Sequence, residues 1–253
     1  MTPKVYSQSG SPPWGPGVSL LKRHANGLLA VLKPTGVLAH PNRSGEQGRS
    51  LVRADFDLGQ ECYRWKEGGE DRFLHLLHRL DGPTSGVVLL AESFAVAEMV
   101  RSLFREQAVR KTYLAMVKGG HLPARSIWED ELRESRGQGR GVRVRTVSRG
   151  GLLAKTEVRL RERILGTPSA LLLEMRPLTG RTHQLRVQAA LRGLPVLGDR
   201  TYGDFGLNRV WARKQGEDRL WLHAWKVEVP LGRETFAAEA IPPKGFGNQP
   251  FGT

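Results

Sequence analysis

His78-Arg79-Leu80-Asp81-Gly82-Pro83-Thr84-Ser85-Gly86 runs straight into Val87-Val88-Leu89-Leu90-Ala91. The first nine residues set one carboxylate, Asp81, between an arginine and a turn built from Gly, Pro, Thr and Ser. The last five have the length and composition of a buried strand. A carboxylate on a tight turn at the mouth of a buried strand is well placed for chemistry, although Asp and Gly are also ordinary turn formers.

Upstream, residues 28–32 read as another buried strand, stopped by Lys33-Pro34-Thr35-Gly36, and His40-Pro41-Asn42 opens a polar loop to about Gly48. Downstream, Ser93 is placed to cap a helix whose apolar face is Val96, Met99, Val100, Leu103 and Phe104. Residues 111–117 return as a strand, with Tyr113, Ala115 and Val117 on one side and Thr112, Leu114 and Met116 on the other. Further strands are expected over 154–160, 170–176, 220–229 and 235–240. A helix is expected over 182–192, stopped by Gly193 with Pro195 beyond. Strands outnumber helices. The pattern predicts an α/β (α+β) fold: a mixed, largely antiparallel central sheet flanked by helices and loops.

Charge narrows the partner. Thirty-nine Lys and Arg oppose twenty-five Asp and Glu, a net +14, which favours a polyanion, nucleic acid first. Residues 135–150 hold five arginines (Arg136, Arg140, Arg143, Arg145, Arg149) and no acid, as a basic hairpin or loop that either is solvated or meets phosphates. No apolar run approaches the ~18–20 residues of a membrane helix, and residues 1–17 lack the apolar core of a secretory signal. Cys62 is the only cysteine, which excludes an internal disulfide and any multi-cysteine metal site. The expectation is a cytoplasmic protein with no membrane partner.

Three polar clusters remain as candidates for chemistry: 78–86, 111–113 and 179–186. In the third, Thr179-Gly180-Arg181-Thr182-His183-Gln184-Leu185-Arg186 crowds two arginines, a His and a Gln into one turn and a half at a helix start. His75, His78 and Asp81 are spaced like helical metal ligands, but Gly82-Pro83 ends any helix there, so no metal is expected. There is no phosphate-binding loop and no dinucleotide fingerprint, so no cofactor is expected, and Ser85 lacks a nucleophile elbow. What is left is a lone Asp with arginines, a Tyr and a basic surface. A carboxylate can act as nucleophile or base at a sugar carbon, which points to glycosidic-bond chemistry on a nucleic-acid base.

On these residues the chain resembles the RluA-type pseudouridine synthases. HRLDGPTSG is similar to their HRLDxxTSG. Lys33-Pro34-x-Gly36 with His40-Pro41, Lys111-Thr112-Tyr113, the Gly180–Val187 stretch GRTHQLRV, Gly198–Gly203 and Leu222-His223-Ala224 follow in the family's order. The resemblance implies an enzyme that converts uridine in RNA (rRNA and/or tRNA) to pseudouridine without a cofactor. By motif position, Asp81 would be the catalytic carboxylate, acting on C1′ or on the C2′ proton. Tyr113 would pack on the flipped uracil, Arg181 would pair with Asp81 and orient it, and Arg79 would fill the gap left in the RNA stack. Arg186, Arg136, Arg140, Arg143 and Arg145 are expected to bind RNA. Two departures stand out: Gln188 where the family usually has His, and Leu32 where Asn is common. Residues 1–27 are expected to be a lead-in too short for the separate RNA-binding domain of many relatives. Residues 28–243 would be the catalytic domain and 244–253 a tail, in a monomer.

Overall fold

The computed structural model describes residues 11–136, 142–147 and 149–247. Thirteen strands and three α-helices occupy them. The strands are β1 (Ser19–Arg23), β2 (Leu28–Lys33), β3 (Asp55–Asp57), β4 (Cys62–Glu67), β5 (Glu70–Leu76), β6 (Ser85–Ala91), β7 (Arg110–Lys118), β8 (Arg125–Arg136), β9 (Val142–Thr146), β10 (Leu152–Ile164), β11 (Ala170–Pro177), β12 (Leu222–Leu231) and β13 (Glu234–Glu239). The helices are α1 (Phe94–Arg105), α2 (Gln184–Leu191) and α3 (Phe205–Gln215). One sheet runs β3-β4-β5-β6-β12-β7-β11-β10-β8-β9, with β2 paired to β6 and β1, and β13 paired to β12. This is the expected α+β class with a mostly antiparallel sheet.

The one parallel pairing among these strands is at the centre, where His223 and Ala224 of β12 meet Ser85 and Gly86 of β6. It joins the β1–β6 half to the β7–β11 half four residues after Asp81 in the chain. Gly86 is required there: its φ is +123°, and a Cβ would lie 2.2 Å from the Ala224 carbonyl oxygen. Gly86→Ala is expected to cost about 3 kcal/mol or more, read as a lowered unfolding midpoint or failure to fold.

The apolar runs β2 and β6 are buried along almost their whole length and feed cores on both faces of the sheet. In α1, Ser93 caps the helix by accepting from the Val96 N–H. Ala97 and Val100 are the residues it buries. Val96, Leu103 and Phe104 are half-buried against the same core, and Met99 faces outward rather than inward as its spacing implied. On β7 the two expected faces separate: Ala115 and Val117 pack with α2, while Leu114 and Met116 pack with Trp211 and Trp221.

Helix α2 starts two residues later than its sequence pattern implied. His183 adopts the left-handed conformation, φ 53° and ψ 17°, and so breaks the helix before Gln184. Gln184 is buried and uses its full amide capacity: Oε1 accepts from the Thr179 hydroxyl and the Arg181 N–H, and Nε2 donates to the Lys155 carbonyl and the Thr156 hydroxyl. Those bonds pin residues 179–184 to β10. Gln188, the departure from the family pattern, is also fully buried. Its Oε1 accepts from Thr156 and its Nε2 donates to Asp130 and the Ala154 carbonyl, tying α2 to β8 and β10.

The described part of the basic stretch includes the end of β8 and all of β9, which pair antiparallel at the edge of the sheet; residues 137–141 and 148 lie outside the described residues. The face that docks on the protein carries Val144, whose N–H donates to the Tyr202 hydroxyl, and Glu134, which accepts from Thr182. Arg133 pairs across from Arg145, and Ser135 from Arg143, so these lie on the opposite, outer face. No described helix is long and apolar enough to cross a membrane.

Candidate active site

Where the two halves of the sheet meet, a cleft of about 1560 Å³ opens, and Asp81, Tyr113, His183 and Arg186 all line it. Seven Lys and Arg residues and three Asp and Glu residues belong to its wall, a balance suited to an anionic chain.

The Asp81 turn is held from below. The Thr84 N–H donates to the Asp81 carbonyl, closing the turn before β6. Lys33, at the end of β2, is wholly buried, and its Nζ donates to the carbonyls of Pro34, Val37 and Gly82 at 3.1, 2.6 and 2.9 Å. Burial brings its ammonium pKa down to about 7, with Asp81 acting in the opposite direction. The Gly36 N–H donates to the same Gly82 carbonyl. The residue after Asp81 is therefore clamped to the β2 end. On the other side, His78 Nε2 accepts from the Leu89 N–H at 3.0 Å, and burial keeps its ring neutral, with a pKa near 3. Among the described residues no group of three or more His, Cys, Asp and Glu side chains is placed to hold a metal ion.

Ser85 opens β6 and is buried. Its O–H donates to His223 Nδ1 at 2.8 Å, its oxygen accepts from Arg219, and His223 Nε2–H donates to the Ala240 carbonyl. The pairing looks like a nucleophilic dyad. Ser85 and His223 are only 3% and 0% exposed, so it is a structural joint between β6 and β12.

The carboxylate itself corrects one expectation. Arg181 does not pair with Asp81: it is exposed on the rim, and its Nε donates to the Leu153 carbonyl at 3.1 Å. The partner is Arg186, whose Nη1 donates to Asp81 Oδ2 at 2.8 Å. Arg181 precedes the helix, whereas Arg186 lies in its first turn and points inward. Arg186 also donates Nε and Nη2 to the two oxygens of Asp199, at 2.7 and 2.8 Å, and its guanidinium lies over the Tyr202 ring. Burial works against both charges. The forked bond nevertheless holds the Arg186 pKa above its ordinary value and, with the N–H groups of Thr201 and Tyr202, holds Asp199 below the usual carboxylate range. Asp199, fully buried, thus supports Arg186, which supports Asp81. Asp199 lay in a quoted motif, but nothing in the sequence gave it this task.

Tyr113 sits on β7 against the cleft. Burial, then the nearby Asp81, pushes its phenol pKa above the ordinary value, so it is neutral at pH 7. Arg79 is exposed on the rim and donates to His40 Nε2 at 3.3 Å. His40 Nδ1–H meets the Pro41 carbonyl, and the ring stacks on Phe56, 4.9 Å between centroids. Arg143 and Arg145 are exposed on the outer face of the hairpin. Arg136 ends β8, and Arg140 lies outside the described residues.

A family model described as RNA pseudouridylate synthase matches residues 27–191. The ribosomal large subunit pseudouridine synthase C of Haemophilus ducreyi is 35% identical over 202 residues, covering 79% of this chain and 58% of that protein. The tRNA pseudouridine synthase C of Vibrio parahaemolyticus is 33% identical over 223 residues, covering 84% and 86%. The chain therefore spans about 60% of the length of the ribosomal relatives it matches. Among solved structures, human RNA Pseudouridylate Synthase Domain Containing 1 shares the fold, with a TM-score of 0.68 at 24% identity over 93% of this chain and 86% of that one.

Proposed function

Since the chain belongs to the RNA pseudouridylate synthase family, we propose that it converts uridine in ribosomal or transfer RNA to pseudouridine, with Asp81 as its catalytic carboxylate. The observation that carries this reading is the Asp81 carboxylate in a basic cleft, with Oδ2 held by Arg186 and no bond to Oδ1 among the described residues.

The target uridine leaves its stack, at a cost of about a few kcal/mol, which phosphate contacts and Arg79 at the rim offset. Arg79 is held in place for this by His40. Asp81 then acts on the sugar, either adding to C1′ as N1 departs or taking the C2′ proton. The uracil turns against Tyr113, and C5 joins C1′. The C5 proton is lost and N1 gains one, so the reaction is balanced without an outside reactant. Because Tyr113 is neutral, it supports packing and proton relay better than it supports a phenolate base. The wall of the cleft keeps the detached uracil from escaping.

Arg143 and Arg145 face outward on the hairpin, where they extend the basic surface beyond the cleft. Changing both to Gln is expected to lower the salt slope of RNA binding by about 1.4–1.8, the loss of two phosphate contacts. An unchanged slope assigns them to solvent.

Two rivals are a binding protein on the same fold and a base-excising glycosylase. The test is a map of pseudouridines in the ribosomal and transfer RNA of cells with and without this gene. The proposal expects specific sites to vanish with the gene. An identical map counts against it.

A further inference from the structure

His183 has features that neither the helix nor the salt bridges account for. It is a non-glycine residue in the left-handed region, a conformation that holds only where the surroundings over-determine it. Its side chain lines the cleft. Its Nδ1 lies 2.8 Å from the Tyr202 hydroxyl, and its Nε2 lies 3.7 Å from Asp81 Oδ2.

The bonds around Tyr202 set the ring's tautomer. The Tyr202 oxygen accepts from the Val144 N–H at 2.9 Å. Its own O–H has one acceptor among the described residues, His183 Nδ1. With the Tyr202 O–H donated there, that nitrogen carries the lone pair, and the proton of the neutral ring sits on Nε2. Burial keeps the ring neutral at pH 7, against the pull of Asp81, Asp199 and Glu134 and with the help of Arg186. The nitrogen that carries this N–H lies 3.7 Å from the oxygen that Arg186 already holds. An approach of about 0.8 Å brings it to hydrogen-bond length.

We propose that His183 is a positioning residue for Asp81: kept in one tautomer by Tyr202, it presents Nε2–H to Oδ2, so that Oδ2 is committed to donors and Oδ1 is the oxygen that meets the ribose. This rests on Asp81 being the catalytic carboxylate. It also links the edge hairpin to the reaction, because Val144 completes the bonding of Tyr202.

Two variants test it, with single-turnover pseudouridine formation and RNA affinity followed from about pH 8 down through the His183 titration, which NMR of the ring locates. The substrate is RNA from cells lacking the gene, labelled with tritium at uracil C5. His183→Asn tolerates the left-handed backbone but is too short to reach Asp81, and it is expected to slow turnover about tenfold at every pH with affinity unchanged. Tyr202→Phe keeps the ring over Arg186 but frees the tautomer. It is expected to be about tenfold slow at pH 8 and to recover toward wild type as pH falls through the lowered His183 pKa. In acid the imidazolium carries a proton on Nε2 whatever Tyr202 does, and a merely structural loss has no such recovery.

Heteronuclear NMR of the His183 nitrogens gives a readout that needs no turnover, with the Nε2–H form in wild type and a mixture in Tyr202→Phe. A Tyr202→Phe deficit that is flat with pH, a His183→Asn variant within about twofold of wild type, or a wild-type ring protonated on Nδ1 each overturns the proposal. A wild-type protein that releases no tritium while its His183 shows the Nε2–H form instead overturns the reading of Asp81 on which the proposal rests.

Discussion

Asp81→Asn is expected to remove turnover, a loss beyond about a thousandfold, with RNA affinity and fold intact. The reasons are local. Asn has the shape of Asp, and its side-chain oxygen can still accept from Arg186 Nη1, so the bond at 2.8 Å survives in neutral form. Lys33 and Gly36 hold the loop through the Gly82 carbonyl and do not touch the carboxylate. What disappears is the anionic oxygen, which neither adding to C1′ nor accepting the C2′ proton can do without. Single-turnover kinetics beside an RNA-binding titration separate the two effects. Weakened binding in proportion to the rate would assign Asp81 to RNA capture.

Arg186→Met is expected to have the largest effect on stability. Arg186 is the partner of two carboxylates, and one of them, Asp199, is completely buried. Removing the cation leaves an uncompensated buried charge, at a cost of about 3–5 kcal/mol, along with the support of Asp81. The pH dependence gives the sign. In wild type the folded pKa of Asp199 lies below its unfolded value. The pair's stabilisation is therefore complete above the unfolded carboxylate range and is lost as pH falls through the folded pKa. In Arg186→Met, burial acts on Asp199 unopposed and raises its pKa, so protonation relieves the strain. The stability gap between variant and wild type should be widest near neutral pH and should narrow in acid. Denaturant unfolding at several pH values measures it, and a gap that does not change with pH would contradict the assignment.

Much of the frame was legible because it rests on apolar runs. β2 and β6 are buried on both faces and show as continuous runs, and the alternation of β7 marked its two cores. The missed elements lacked such a signal. β3, β4 and β5 form a meander rich in charged residues, and β8 continues into the arginine-rich stretch. Helix α3 buries only Trp211. Its caps were the available clue: Asp204 accepts from the Leu207 N–H, and Gly216 ends the helix at φ 71°.

The site was legible as a set of clusters but not as bonds. Asp81 was marked by its turn and Tyr113 by its strand. Arg181 and Arg186 differ by five positions in one motif, and nothing in composition says which turns inward. That choice is made by His183 leaving the helical region, and by Gln184 and Asp199 bonding beneath it. Such long-range polar pairing is invisible to periodicity. Lys33 shows the same limit, since a lysine at a strand end suggests solvent, yet here it is sealed under the Asp81 loop.

The most direct measurement uses RNA from cells lacking the gene, labelled with tritium at uracil C5 and incubated with the purified chain and with its Asp81→Asn variant. The account predicts tritium released to water in step with pseudouridine formed by the wild-type chain, and none from the variant. Free uracil in place of pseudouridine, or equal release by the two proteins, would contradict it.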